Sequence, residues 1–255
     1  MEGPFISPAK KGAQDARNIL PCNVEICDRF LKASEGLVKF IGIAPEESDN
    51  AAEFIREVHE RVNVSLAHTN ADYDTAMEAC RAGANHAVHL YNAMPAFTHR
   101  APGVVGAVFD SEITTETISD GIHIAYPSLR VAYKQKGTDK VLLITDAMMA
   151  CCMPDGMYSL GGQDVEVKNG AARLLSGSLA GSILTLDVAV KNIFKNTNYP
   201  LNEVIKMATY NGAKHCKVDD KKGLIKEDYD ADLILFDDNI DIKYVIVNGK
   251  LVYKA

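Results

Sequence analysis

Residues 62–93 read VNVSLAHTNADYDTAMEACRAGANHAVHLYNA, and this stretch decides the fold class. It opens on an apolar, β-branched run, 62–70, that turns polar at His68. A helix-like segment follows: Asp72 stands where an N-cap carboxylate accepts from the first turn, and Gly83 where a helix closes in a left-handed conformation. A second apolar run, 85–93, turns polar at His89. Moving outward, the same unit recurs as LVKFIGIAPE (37–46), TTETISDGIH (114–123) and KVLLITDA (140–147). The polar ends fall near Pro45, His68, His89, His123 and Asp146, about 21–23 residues apart with one interval of 34. That spacing fits a strand, a helix and two short loops. Apolar strands alternating with amphipathic helices imply an α/β fold with a parallel sheet covered on its faces. Polar residues gathered at C-terminal strand ends are what the active site of a (β/α) barrel requires.

Beyond the last such run lies a Gly-rich stretch, GGQDVEVKNGAARLLSGSLAGS (161–182), within which SLAGS (178–182) reads as a backbone cradle or a flexible loop. Helices are expected over 183–196 and 202–215. The tail, 217–255, has short strand patterns and an Asn248-Gly249 hairpin signal, and reads as a small β-rich module. Only five clear barrel strands are legible, with the end of another at the start of the chain, where a barrel closes with eight. The expectation is a (β/α)8-type TIM barrel, incomplete at the N-terminus, over 1–216. Part of a small β-sandwich would occupy 217–255.

The chain has 255 residues, 47% of them hydrophobic and 24% charged, and can bury a substantial core. Its formal net charge of -7 argues against a nucleic-acid partner. The six cysteines include no Cys-x-x-Cys pair, and read as reduced thiols of a cytoplasmic protein. No apolar run approaches the roughly 18 residues of a membrane span. The opening MEGPFISPAKKG has no apolar signal core, so no membrane is expected as a partner.

His68, His89 and Asp146 end three different strands, so a barrel would bring them together. Two imidazoles and a carboxylate can hold a divalent metal or activate its water. Glu2 joins them if residues 1–4 follow a strand. Arg100, on the loop after the His89 strand, can take a phosphate through its guanidinium fork. Plainer roles stay open: helix capping for Asp146, a turn residue for His123, a solvated surface side chain for Arg100. His59, His86, His99 and His215 read as ordinary core or surface histidines.

HTNADYDTAMEACRAGANHAVHLYNAMPAFTHRAPGVVGAVFD (68–110) resembles the core of the N-acetylglucosamine-6-phosphate deacetylases, metallo-dependent hydrolases of the amidohydrolase superfamily. HLYNAM (89–94) and its spacing to Arg100 carry the likeness most specifically. EGPFISPAKKGA (2–13), SDGIH (119–123), TDA (145–147) and LAGSILTL (179–186) stand in the family's order. The resemblance implies Glu2, His68 and His89 as ligands of one divalent metal ion, zinc first, with iron, manganese or cobalt also compatible. It implies Asp146 as the catalytic acid/base. Ala13, Asn92, Ala93, Arg100, His123, Leu179, Ala180 and Gly181 become contacts to a small sugar phosphate, with Arg100 and His123 serving a neighbouring subunit in a homodimer. The sequence departs from the family at Gln14, where a histidine is common. The implied reaction is hydrolysis of the acetamide of N-acetylglucosamine 6-phosphate. Its rivals are another amidohydrolase, such as a cyclic-amide hydrolase, and a sugar-phosphate-binding fragment without activity.

Overall fold

The computed structural model describes residues 1–255. Helix α1 (Val24–Ala33) leads to strand β1 (Phe40–Ile43). Then α2 (Ala51–Val58), β2 (Asn63–Leu66), α3 (Tyr73–Ala82), β3 (His86–Ala87), α4 (Gly103–Asp110), β4 (Thr114–Ile118), α5 (Tyr126–Lys136) and β5 (Val141–Ile144) alternate without interruption. The five strands form one parallel sheet in the order β1-β2-β3-β4-β5. Sequential order without reversal is that of a barrel wall, and separates this sheet from a doubly wound one. The caps lie where the sequence put them: Asp72 Oδ1 accepts from Thr75 N at 2.9 Å, and Gly83 follows α3 with φ +124°.

Alternation along the strands sorts the two faces. Ile41, Ile43, Val64, Leu66, Ala87, Val141 and Leu143 are buried in one core with the helices. The other face carries Gly42, Ser65, His86 and Thr114 in a single register row, a polar interior. Residues 1–5 lie along the open side of β1: Gly42 N donates to Met1 O at 2.9 Å, and Phe5 bridges Ile43 in parallel. This approach needs glycine at 42, because a Cβ there would sit 2.7 Å from Ala67 Cβ and 3.4 Å from Gly3 N. Glu2 reaches the sheet mouth by this path.

Beyond β5 the chain carries a sheet that was not expected, and two helices where one was expected. The Gly-rich stretch is largely an antiparallel sheet of β6 (Gly156–Leu160), β7 (Gln163–Lys168) and β8 (Ala171–Leu174). Gly161-Gly162 and Asn169-Gly170 all take positive φ, as tight hairpin turns demand, and Val165, Val167 and Ala172 bury one face. The single helix expected at 202–215 is two, α7 (Leu201–Ala208) and α8 (Tyr210–His215), because Thr209 leaves the helical region at φ −131° and ψ −82°. Helix α6 (Leu186–Asn196) precedes them. The tail forms a second antiparallel sheet of β9 (Leu233–Phe236), β10 (Ile242–Val247) and β11 (Lys250–Lys254), with Asn248-Gly249 as the β10–β11 turn. No helix is long and apolar enough to cross a membrane.

Candidate active site

Three chain segments leave the sheet in the same unusual way. His68 after β2, His89 after β3 and Asp146 after β5 have φ of +44°, +26° and +50°, a region that side chains other than glycine's seldom occupy. Backbone strain of this kind collects at functional sites. The three residues share a cavity of about 510 Å³ with Glu2.

Within it Glu2 Oε1 lies 2.8 Å from His68 Nε2 and 3.0 Å from His89 Nε2, and the two imidazole nitrogens are 3.2 Å apart. The far side of each ring is anchored to main chain. His68 Nδ1 donates to the Lys10 carbonyl at 2.6 Å, and His89 Nδ1 to the Asn92 carbonyl at 3.1 Å. That assigns the Nδ1–H tautomer, leaving a lone pair on each Nε2 of the neutral rings. Three lone-pair atoms therefore converge, an arrangement that requires a shared proton or a cation between them. A carboxylate and two Nε2 atoms whose Nδ1 partners fix the tautomer are the donor set a divalent ion takes, and these three residues fit one.

The charges respond accordingly. Burial works to raise the Glu2 carboxyl, but the two imidazoles against it, able to share a proton with it, outweigh that and hold Glu2 well below the usual carboxylate range. His89 is raised despite its burial, through Glu2. Asp146 moves the other way: burial lifts its carboxyl above the ordinary value, with His89 opposing and Glu2 assisting. A half-buried carboxylate with a raised affinity for protons, beside a cation site, is suited to general acid/base work.

The walls come from distant segments. Ala13, Asn92, Ala93, His123, Leu179, Ala180 and Gly181 all line the cavity. His123 Nδ1 donates to Asp120 Oδ2 at 2.6 Å, and its backbone N–H to Asp120 Oδ1 at 2.8 Å, which leaves Nε2 as its free nitrogen. The 179–182 loop is stitched to the end of β5, with Ser182 N donating to Asp146 O at 2.7 Å. Gln163 Nε2 on β7 donates to Ala13 O at 3.0 Å, so the β6–β8 sheet closes one side. Lys10, Leu160 and Gly161 also line the cavity and were not singled out in the sequence. Arg100 is the exception among the candidates: it is exposed, and does not line this cavity. Gln14 does line it, with its Nε2 buried and unpartnered.

A parallel (β/α) sheet with a carboxylate–imidazole–imidazole cluster at its mouth and an aspartate just beyond its last strand is an arrangement able to hold a divalent ion beside an acid/base. The chain belongs to the amidohydrolase family, whose model matches residues 1–252. It is 41% identical over 252 residues to an N-acetylglucosamine-6-phosphate deacetylase of Lysinibacillus sphaericus, across 98% of this chain and 65% of that protein. It is 34% identical over 253 residues to an N-acetylgalactosamine-6-phosphate deacetylase of Escherichia coli O157:H7, across 98% of this chain and 67% of that one. The crystal structure of N-acetylglucosamine-6-phosphate deacetylase from Pasteurella multocida superposes with a TM-score of 0.91 at 36% identity, covering 98% of this chain and 65% of that chain. The chain thus spans about 65% of the length of such relatives.

Proposed function

We propose that this site hydrolyses the acetamide of N-acetylglucosamine 6-phosphate, releasing glucosamine 6-phosphate and acetate. The observation that carries the reading is the convergence of Glu2, His68 and His89 beside Asp146 in one cavity, in a chain similar along nearly its whole length to deacetylases of N-acetylhexosamine 6-phosphates. A divalent ion held by the three residues, zinc first and iron, manganese or cobalt next, supplies Lewis acidity toward the amide carbonyl and acidifies water. Asp146 accepts a proton from the water as its oxygen attacks the carbonyl carbon. It then returns the proton to the departing nitrogen as the C–N bond breaks. His123, held by Asp120, lines the same cavity as Asp146 and so offers Nε2 to the sugar phosphate bound here rather than to a neighbouring subunit's. Asn92, Ala93, Ala13 and the 179–181 loop shape the pocket around the sugar. Arg100, outside this cavity, takes the 6-phosphate of substrate bound to a second copy, in a homodimer. In domain terms, residues 1–216 carry the chemistry and 217–255 form the small β module.

The E. coli relative supports a second reading, the galacto epimer as substrate. Assaying both sugar phosphates with the zinc-loaded chain separates the two. Asp146→Asn is expected to lower turnover about 10²–10⁴-fold while zinc binding persists. Near-normal turnover in that variant would refute the role of Asp146. No turnover by a folded, zinc-loaded wild-type chain on either sugar would leave a binding fragment.

A further inference from the structure

Beneath the cavity the sheet interior holds a buried cluster that the proposed reaction does not use. Glu116, on β4, faces it. The ladder of β3 ends at Ala87, and Val88 N still donates to Leu66 O at 3.0 Å, but the next two N–H groups turn away from β2. Glu116 takes both: its carbonyl accepts from Leu90 N at 2.9 Å, and its carboxylate Oε2 accepts from His89 N at 3.3 Å. The carboxylate is held from the other side. Its Oε1 lies 3.0 Å from His86 Nε2, close but out of line for a hydrogen bond. The His86 ring is in turn fixed by Thr114 Oγ1, 2.7 Å from Nδ1, and by the His215 ring, whose centroid is 4.1 Å away.

We infer that Glu116 is a positioning residue for the metal site, setting the direction of His89 by holding its backbone N–H. The bond falls where it matters. At φ +26° the His89 backbone is strained, and its buried N–H has no ladder partner to restore it. A small rotation there swings Nε2 away from Glu2 and His68, now 3.0 and 3.2 Å distant. Outer groups that orient a ligand histidine typically change metal affinity 10–100-fold when removed. The inference rests on the assignment of His89 as a ligand, and goes beyond it by naming what holds that ligand in place.

The test is zinc titration of the chelator-stripped 255-residue chain, followed by calorimetry, with the melting temperature recorded beside it. Glu116→Gln keeps an acceptor oxygen and is expected to bind zinc within about threefold of wild type. Glu116→Met keeps the length without the acceptor and is expected to bind about tenfold more weakly or worse. If the Met variant does not fold, Glu116→Asp, which draws the carboxylate back by one methylene, carries the same expectation of weakened binding. Wild-type affinity in whichever of these folds overturns the inference, as does an equal loss in the Gln and Met variants. A His89→Ala control separates the two levels. Zinc binding that needs His89 but not Glu116 sinks the inference alone, whereas binding indifferent to His89 sinks the metal-site reading and the inference together.

Discussion

At the scale of single residues, the histidines and the aspartate were legible because each ends an apolar run abruptly, at a place where the fold collects chemistry. Glu2 was legible only conditionally, since no strand precedes it in this chain, and its place depends on the approach to β1 allowed by Gly42. Lys10, Leu160 and Gly161 were not legible. Their relation to the cavity arises from tertiary packing of the β6–β8 sheet on residues 10–14, which no local pattern announces. Gln14 is the residue with the plainest consequence. Its amide nitrogen is buried without a protein partner, and a turn of the amide toward the cavity that the residue lines would let it donate to substrate. Gln14→Leu is expected to raise KM about tenfold with little change in kcat, the worth of one hydrogen bond. Unchanged KM in steady-state kinetics would show that the amide does not touch substrate.

At the scale of elements, the parallel strands declared themselves through spacing and polar ends, and the antiparallel sheet did not. Its turns were visible at Gly161-Gly162 and Asn169-Gly170, and Val165 and Val167 alternate with charged residues. Its short strands fall outside the strand–helix repeat that marks the parallel ones. The start of β1–β3 carries a pH-sensitive contact. His215, at the end of α8, stacks on Phe40 and His86, and burial, with His86 and Lys217 adding to it, pushes its imidazole down to about 2. The unfolded chain takes up this proton near pH 6.5 and the folded chain does not, so stability is lost as pH falls through 6.5 toward 2. His215→Phe keeps the stack and removes the proton. Its loss of unfolding free energy between pH 7 and 5 is expected to be smaller than wild type's by about 2 kcal/mol. Parallel denaturation curves at the two pH values would show otherwise. Gly42→Ala belongs to the same scale: the added methyl meets Ala67 and the first residues, and is expected to cost about 1–3 kcal/mol and to weaken zinc binding through Glu2. A variant that binds zinc normally would remove Gly42 from the account of how Glu2 is placed.

At the scale of the whole molecule, the sheet has five strands where a closed barrel has eight, and the shortfall was legible by counting polar strand ends. What counting could not give is the relation of Arg100 to the cavity, which the fold of one chain leaves outside it. If Arg100 serves a second copy, complementation follows. Arg100→Ala and Asp146→Asn proteins, each nearly inactive alone, are expected to regain activity when mixed and allowed to exchange subunits. Asp146 of one copy would then work with Arg100 of the other. A mixture no more active than its components, while exchange is demonstrated by labelled subunits, would place Arg100 outside catalysis.

The anchoring of both cavity imidazoles to carbonyl groups has a consequence for how the sequence can drift. Every amino acid brings a carbonyl, so the acceptor for His68 persists whatever side chain occupies position 10. A library randomised at Lys10 should retain zinc binding in most members, even where sugar phosphate recognition is altered. Specificity along that wall is free to diverge under selection while the cation-binding geometry is inherited unchanged.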